Sequence, residues 1–226
     1  MADRTVVAGS LGITAGQMKD FWRQVGDGSL TGYHMQAMLE HRDPFSFERN
    51  EHGHIVVTVN GLDLTGAQEI QRFEKAGDRF SKWAKSCLLS TKPDSYDANH
   101  RLVAGQVYRF ALMPTAEIEV PADRTTENLR TRGVELYGYH KPLGGAIPRV
   151  RERVSYTQME EMGFSYIAAP HDPIEDSDGD PGVLHAYRRV DGRWVYADID
   201  RPDGRWRGYG AFAFLVPASV PLAPAA

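Results

Sequence analysis

Two runs, VLHAYRRV over 183–190 and RWVYADID over 193–200, stand on either side of Asp191-Gly192 with nothing else between them. Aromatic and β-branched residues suit a pleated, half-buried surface. An Asp-Gly pair supplies the positive φ that both central positions of a type I′ turn require. The segment therefore commits the chain to an antiparallel hairpin, and since two strands are marginal in water, to further strands beside it. The neighbours are FSYIAAP over 164–170, which empties into the loop HDPIEDSDGDPG, and YGAFAFLVP over 209–217.

Upstream, HIVVTV over 54–59 reads as a strand, with Asn60-Gly61 as its turn and LDL over 62–64 as a partner, and QVYRFALMP over 106–114 reads as another. Thr65 with Gln68 makes a capping box. The helix it opens carries Ile70, Phe73, Phe80, Trp83, Ala84, Cys87 and Leu88 on one apolar face. Helical character is also expected from Thr125 or Thr126 onward despite Gly133, over 149–154 behind Pro148, and after Thr157 with Glu160 as its capping partner.

Residues 13–42 give two short helices on one template. Thr14 caps the first with Gln17 as its partner, Ile13 staples onto Met18, and Met18, Phe21, Trp22 and Val25 fall on one face. Gly26-Asp27-Gly28 stops it, and Leu30-Thr31 opens the second, with Met35, Met38 and Leu39 as its apolar side. So short a unit cannot bury that seam alone, so the seam docks on the body, pairs with a copy of itself or takes a protein partner. GYHMQAMLEHR offers only Arg42 as a fixed cation, which argues against a DNA-reading helix.

The expected architecture is α+β: a mainly antiparallel sheet with helices packed on one face, preceded by a small helical hairpin. The hairpin takes 1–44, the body 45–217 and a Pro/Ala tail 218–226. A formal charge of -4 gives no overall field for nucleic acid or an anionic membrane. One cysteine, Cys87, allows no intrachain disulfide, and its place on an apolar helix face makes it a small buried hydrophobe. With no membrane-length apolar run and no signal-like N-terminus, a cytoplasmic location is expected.

Three stretches could carry chemistry. Asp176, Asp178 and Asp180 alternate around Gly179, a spacing by which carboxylates converge on a hard cation such as Ca or Mg. Aligned on Gly179, however, an EF-hand loop would have Ile174 and His185 at its first and twelfth positions, so that motif fails at both ends. His171, leaving a strand beside carboxylates, is the candidate catalytic base, its pKa expected to be raised by them. In the ribbon DGRW occurs twice, at 191–194 and 203–206, and Arg193, Trp194, Tyr196, Arg205 and Trp206 are the candidate binding residues. Aromatic side chains on a sheet face can stack bases or sugars, and guanidinium groups can hold phosphate. The same side chains can equally pair with one another across the sheet.

The stretches ITAGQMKDFWRQVGDGSLTGYHMQAML, RTTENLRTRGVELYGYHKP, HDPIEDSDGDPGVL with the later YRRVDGRWV, and GAFAFLVP together resemble a group of uncharacterised bacterial proteins of the same layout. The resemblance covers most of the chain. It implies a portable helical hairpin followed by a separate α+β body and brings no activity with it. The favoured expectation is a non-catalytic cytoplasmic binding protein that meets a protein partner, or itself, through residues 13–42. The alternatives are a small divalent-cation-dependent hydrolase or nuclease using the 171–181 loop, and an RNA or single-strand binder using the ribbon.

Overall fold

The structure is a computed structural model and describes residues 14–26, 30, 32–39, 47–189 and 191–217. The chain divides into two compact units, Met1–Ser46 and Phe47–Ala226. The Ile13 staple, the Thr31 cap, Asp27, Gly28, Arg42 and the tail over 218–226 lie outside the described residues.

In the first unit, helices α1 (Ala15–Gly26) and α2 (Gly32–Leu39) are present. The capping box at Thr14 is made in both directions. Gln17 N–H donates to Thr14 Oγ1 at 3.2 Å, and Thr14 N–H donates to Gln17 Oε1 at 2.9 Å. No residue of α1 is buried, and Trp22 is 62% exposed.

The second unit is an α+β body built on one mixed, mostly antiparallel sheet. Its strands are β1 (Ile55–Asn60), β2 (Arg79–Phe80), β3 (Val107–Pro114), β4 (Tyr166–Ala168), β5 (Ile174–Glu175), β6 (Pro181–Arg189), β7 (Gly192–Ile199) and β8 (Gly210–Leu215), and the order across the sheet is β1-β3-β8-β4-β6-β7-β2 with β5 on β6. Among the described residues, only β4 with β8 and β2 with β7 run parallel. Among the described residues no helix is long and apolar enough to cross a membrane.

Alternation splits β3, β4 and β8 between two cores. Inward from Val57, Phe110, Leu112, Ile167, Leu184, Ala186 and Val195 lies the larger one. Helices α3 (Gly66–Lys75), α4 (Lys82–Leu89), α5 (Tyr96–Asn99), α7 (Ala146–Arg153) and α8 (Tyr156–Glu161) close it from that side. On the outer face Met113, Tyr166, Ala168, Phe212 and Phe214 form a smaller core with Leu129 and Tyr139, covered by α6 (Thr126–Thr131) and the π-helical turn Arg132–Leu136. This cover lies over the β3-β8-β4 half of the sheet. A Cβ on Gly133 would sit 2.2 Å from Phe214 Cζ, so glycine is what lets the π turn rest on that ring.

Several boundaries differ from the sequence reading. The helix expected over 65–88 is two helices, because the chain turns at Gly77 (φ 80), inserts β2 and restarts at Ser81, whose Oγ caps Ala84 N–H at 3.1 Å. LDL over 62–64 is not a strand. Gly61 and Asp63 donate instead to the carbonyls of Gln106 and Leu102, and β1 pairs with β3. The last capping box is Ser155 with Gln158, ahead of the Thr157 expected. The hairpin register differs by one residue: Arg189 pairs with Gly192, so Gly192 belongs to β7.

Candidate functional site

The 171–180 loop is organised by Asp176, not around a cation. Asp176 is buried, its Oδ1 accepts the N–H groups of Asp178 and Asp180 at 2.8 and 3.0 Å, and its Oδ2 accepts Ser86 Oγ–H at 3.3 Å. Those bonds wrap the loop around one carboxylate and fasten it to α4, while Asp178 and Asp180 point to solvent. Among the described residues no group of three or more His, Cys, Asp or Glu is placed to hold a metal ion. The expected convergence of Asp176, Asp178 and Asp180 is therefore corrected: the first carboxylate is spent on its neighbours' backbone.

His171 is corrected as well. Its ring has no solvent exposure, Nε2 accepts Leu184 N–H at 3.0 Å, and Nδ1 donates to the Asp172 carbonyl at 2.6 Å. Burial, with the His100 imidazole 5.0 Å away, pushes its pKa down to about 3, the reverse of the shift a nearby carboxylate was expected to cause. Asp172 turns away and pairs with Lys141 at 2.5 Å. With both nitrogens committed, His171 has no free position from which to take a substrate proton. Cys87 is buried beside Gly182, and burial lifts its thiol to about 12, too high for a nucleophile.

The ribbon residues divide by strand parity. Trp194 and Tyr196 lie on the outer face of β7. Arg193 lies on the inner face and donates through Nε to the buried Asp78 at 2.6 Å. Arg205 folds back on its own turn, donating to the carbonyls of Pro202 and Gly204. The second DGRW makes no hairpin. It lies in the loop before β8 and lays Trp206 over the outer face, where its indole N–H donates to Thr126 Oγ1 at 3.0 Å. Of the five ribbon residues, the three aromatic ones thus share a surface and the two arginines leave it.

That surface is the outer face of β6 and β7. The helices packed on these strands, α4, α7 and α8, are all on the inner side. Outward, Tyr187, Trp194 and Tyr196 are half-buried, with Tyr187 and Tyr196 centroids 5.6 Å apart and Trp194 and Tyr196 5.4 Å apart. Beneath them His185 is buried among the rings of Tyr196 at 5.7 Å and Trp206 at 5.8 Å. His185 Nε2 stands 3.2 Å from Asp198 Oδ2, outside good hydrogen-bond geometry, while Nδ1 has no partner. The imidazole holds the Asp198 carboxyl below the usual range against the opposing effect of burial. Arg79 and Arg189 lie over the Trp194 ring at 5.4 and 5.5 Å, and both reach Asp191. His185 and Tyr187 are not among the expected binding residues, although their i, i+2 spacing on a predicted strand already puts them on one face.

A second polar cluster went unseen because its members are far apart in sequence. Asn50 donates to Tyr139 Oη at 2.5 Å, Tyr139 to His54 Nδ1 at 2.7 Å, and His54 Nε2 to Glu117 at 2.6 Å. Burial works to raise the Glu117 pKa, but hydrogen bonds from His54, Tyr137 and Arg132 prevail and hold it at about 2. Two shallow clefts of about 520 and 460 Å³ flank the π turn beside this cluster. The cations lining them are engaged: Arg132 with Glu117, Lys141 with Asp172, and Arg130 with Asp200 and the carbonyls of Pro170 and His171. Every donor in the relay has its acceptor, which fits an arrangement that fixes residues 50–54 against 117–139. Comparison of the chain with models of protein families, with curated proteins and with solved structures gave no match.

Proposed function

We propose that this chain is a non-catalytic binding protein, working in the cytoplasm, whose ligand face is the outer surface of β6 and β7. The observation that carries the reading is the contiguous row Tyr187, Tyr196 and Trp194 on the half of the sheet where α4, α7 and α8 pack from the inner side. A catalytic reading has less support, because the groups it needs, His171 and Asp176, spend their polar atoms on backbone. The lone, buried Cys87 accords with a reducing compartment.

The first unit serves protein association in this reading. The specific support is α1, which presents Met18, Trp22 and Val25 without burying any of its residues. A protein surface rarely leaves such a stripe idle. A second copy of the chain is the partner that needs nothing further, since a two-fold contact uses one patch twice.

The ligand face is tested by thermal shift against four probe classes: neutral oligosaccharides, mononucleotides, aromatic amino acids and divalent cations. A stabilising probe whose effect disappears in Trp194→Ala and Tyr196→Ala supports the proposal. A probe that stabilises both variants as well as the parent, or stabilisation by a divalent cation alone, contradicts it.

A further inference from the structure

We infer that the outer face of β6 and β7 takes a neutral, hydroxyl-rich ligand of the glycan class in preference to a phosphodiester chain. The inference rests on the proposed ligand face and adds the chemistry of what it holds. The rings of Tyr187, Tyr196 and Trp194 follow one another at 5.6 and 5.4 Å, Tyr187 edge-on to Tyr196 at 64° and Trp194 tilted from it at 38°, giving a bent aromatic surface that the C–H groups of a sugar ring can contact.

Charge separates the two ligand classes. Arg79 and Arg189 border the rings together with Asp191 and Asp198, two charges of each sign. Both guanidinium groups already face the Trp194 ring and Asp191. A phosphate chain would have to displace Asp191 and pass Asp198, whereas single-strand binders follow the backbone with a continuous positive groove. A hydroxyl group both donates and accepts, so it can use carboxylate and guanidinium alike without disturbing their pairing.

His185 supplies an independent reason. Its side chain is 7% exposed, and neither ring nitrogen has a hydrogen-bond partner. A ring nitrogen donates or accepts according to the tautomer, and a hydroxyl, which does both, can answer it either way. A buried polar atom calls for a partner, and a phosphodiester oxygen, which can only accept, serves just one of the two tautomers.

The test is native affinity electrophoresis of the full chain in gels cast with soluble starch, laminarin, xyloglucan or hydroxyethylcellulose, beside fluorescence anisotropy with a labelled oligouridylate. The expected result is retardation at least twofold in one of the glycan gels, lost in Trp194→Ala, Tyr196→Ala and Tyr187→Ala variants that keep the parent's circular dichroism, with no oligouridylate binding at physiological salt. Tyr187→Ala stands in if another variant does not fold. Absence of retardation in every gel overturns the inference. Oligouridylate binding that the same variants abolish overturns the glycan assignment and leaves the ligand face standing. Retardation unchanged in all three variants overturns both.

Discussion

His171 Nε2 accepts the backbone N–H of Leu184 at 3.0 Å, so an imidazole continues the β4 and β6 ladder where Pro170 brings β4 to an end. The preceding rung, Ala169 N–H to the Leu184 carbonyl at 3.1 Å, is ordinary backbone. His171 therefore does for the sheet what a strand carbonyl would do, and its chemistry shows in stability.

Acid should unfold this protein early. His171 and His100 have folded-state pKa values near 3 and 4 against an ordinary 6.5, both lowered chiefly by burial. Depressed values mean that the unfolded chain binds more protons. The stabilisation is complete above about pH 6.5 and is lost as pH falls toward the folded values. With two such groups the slope approaches about 2.7 kcal/mol per pH unit. Urea midpoints between pH 7.5 and 4.5, the range set by the ordinary His and carboxylate values, measure it. His171→Gln should remove about half of the slope, and a flat profile would contradict the buried neutral rings.

Asp176 should behave unlike its neighbours. Asp176→Ala removes the acceptor for two backbone N–H groups and should cost about 1–3 kcal/mol. Asp178→Asn and Asp180→Asn should stay within about 0.5 kcal/mol. A shared cation would instead make all three substitutions costly and would raise the melting temperature on adding calcium, magnesium or manganese. Melting curves of the three variants with and without each ion separate the cases.

The two arginines once grouped together in the ribbon should also part. Arg193→Ala leaves the buried Asp78 carboxylate without its donor and should destabilise by about 2–3 kcal/mol, a figure reduced because the guanidinium is partly exposed. Arg205→Ala removes contacts only with its own turn and should fall within about 0.5 kcal/mol. Chemical denaturation of both variants checks this. Equal effects would contradict the assignment of Arg193 to the inner face.

Gly133→Ala drives a methyl group into the Phe214 ring, itself fully buried and walled by Phe212 and Tyr139. Neither side can yield cheaply, and the cost should reach at least about 2 kcal/mol. Gly138→Ala, at φ 66 with open space around it, isolates the backbone penalty and should cost less. Denaturation midpoints compare the two.

What the sequence made legible follows from the range of each signal. The hairpin, the buried strand at 166–168, and the caps at Thr14 and Thr65 rest on neighbours within a few residues, and local spacing exposes them. The split at Gly77 was hidden because Phe80 keeps the apolar rhythm of a helix while contributing to a strand beside Val195. The roles of His171 and Asp176 were hidden because a loop full of charges looks solvated until Ser86 and Leu184, remote in sequence, arrive as partners. The ribbon was half legible. Its composition marked the surface, and strand alternation, applied to it, would already have moved Arg193 to the other side.

Amide-resolved NMR of the full chain, titrated with maltohexaose and cellohexaose, tests the central claim most directly, because it locates a ligand without presuming its pose. The account predicts shifts concentrated at residues 185–187 and 194–196 and near Trp206, with the 171–180 loop undisturbed. Shifts centred instead on that loop, or on the clefts around residues 130–141, would contradict it.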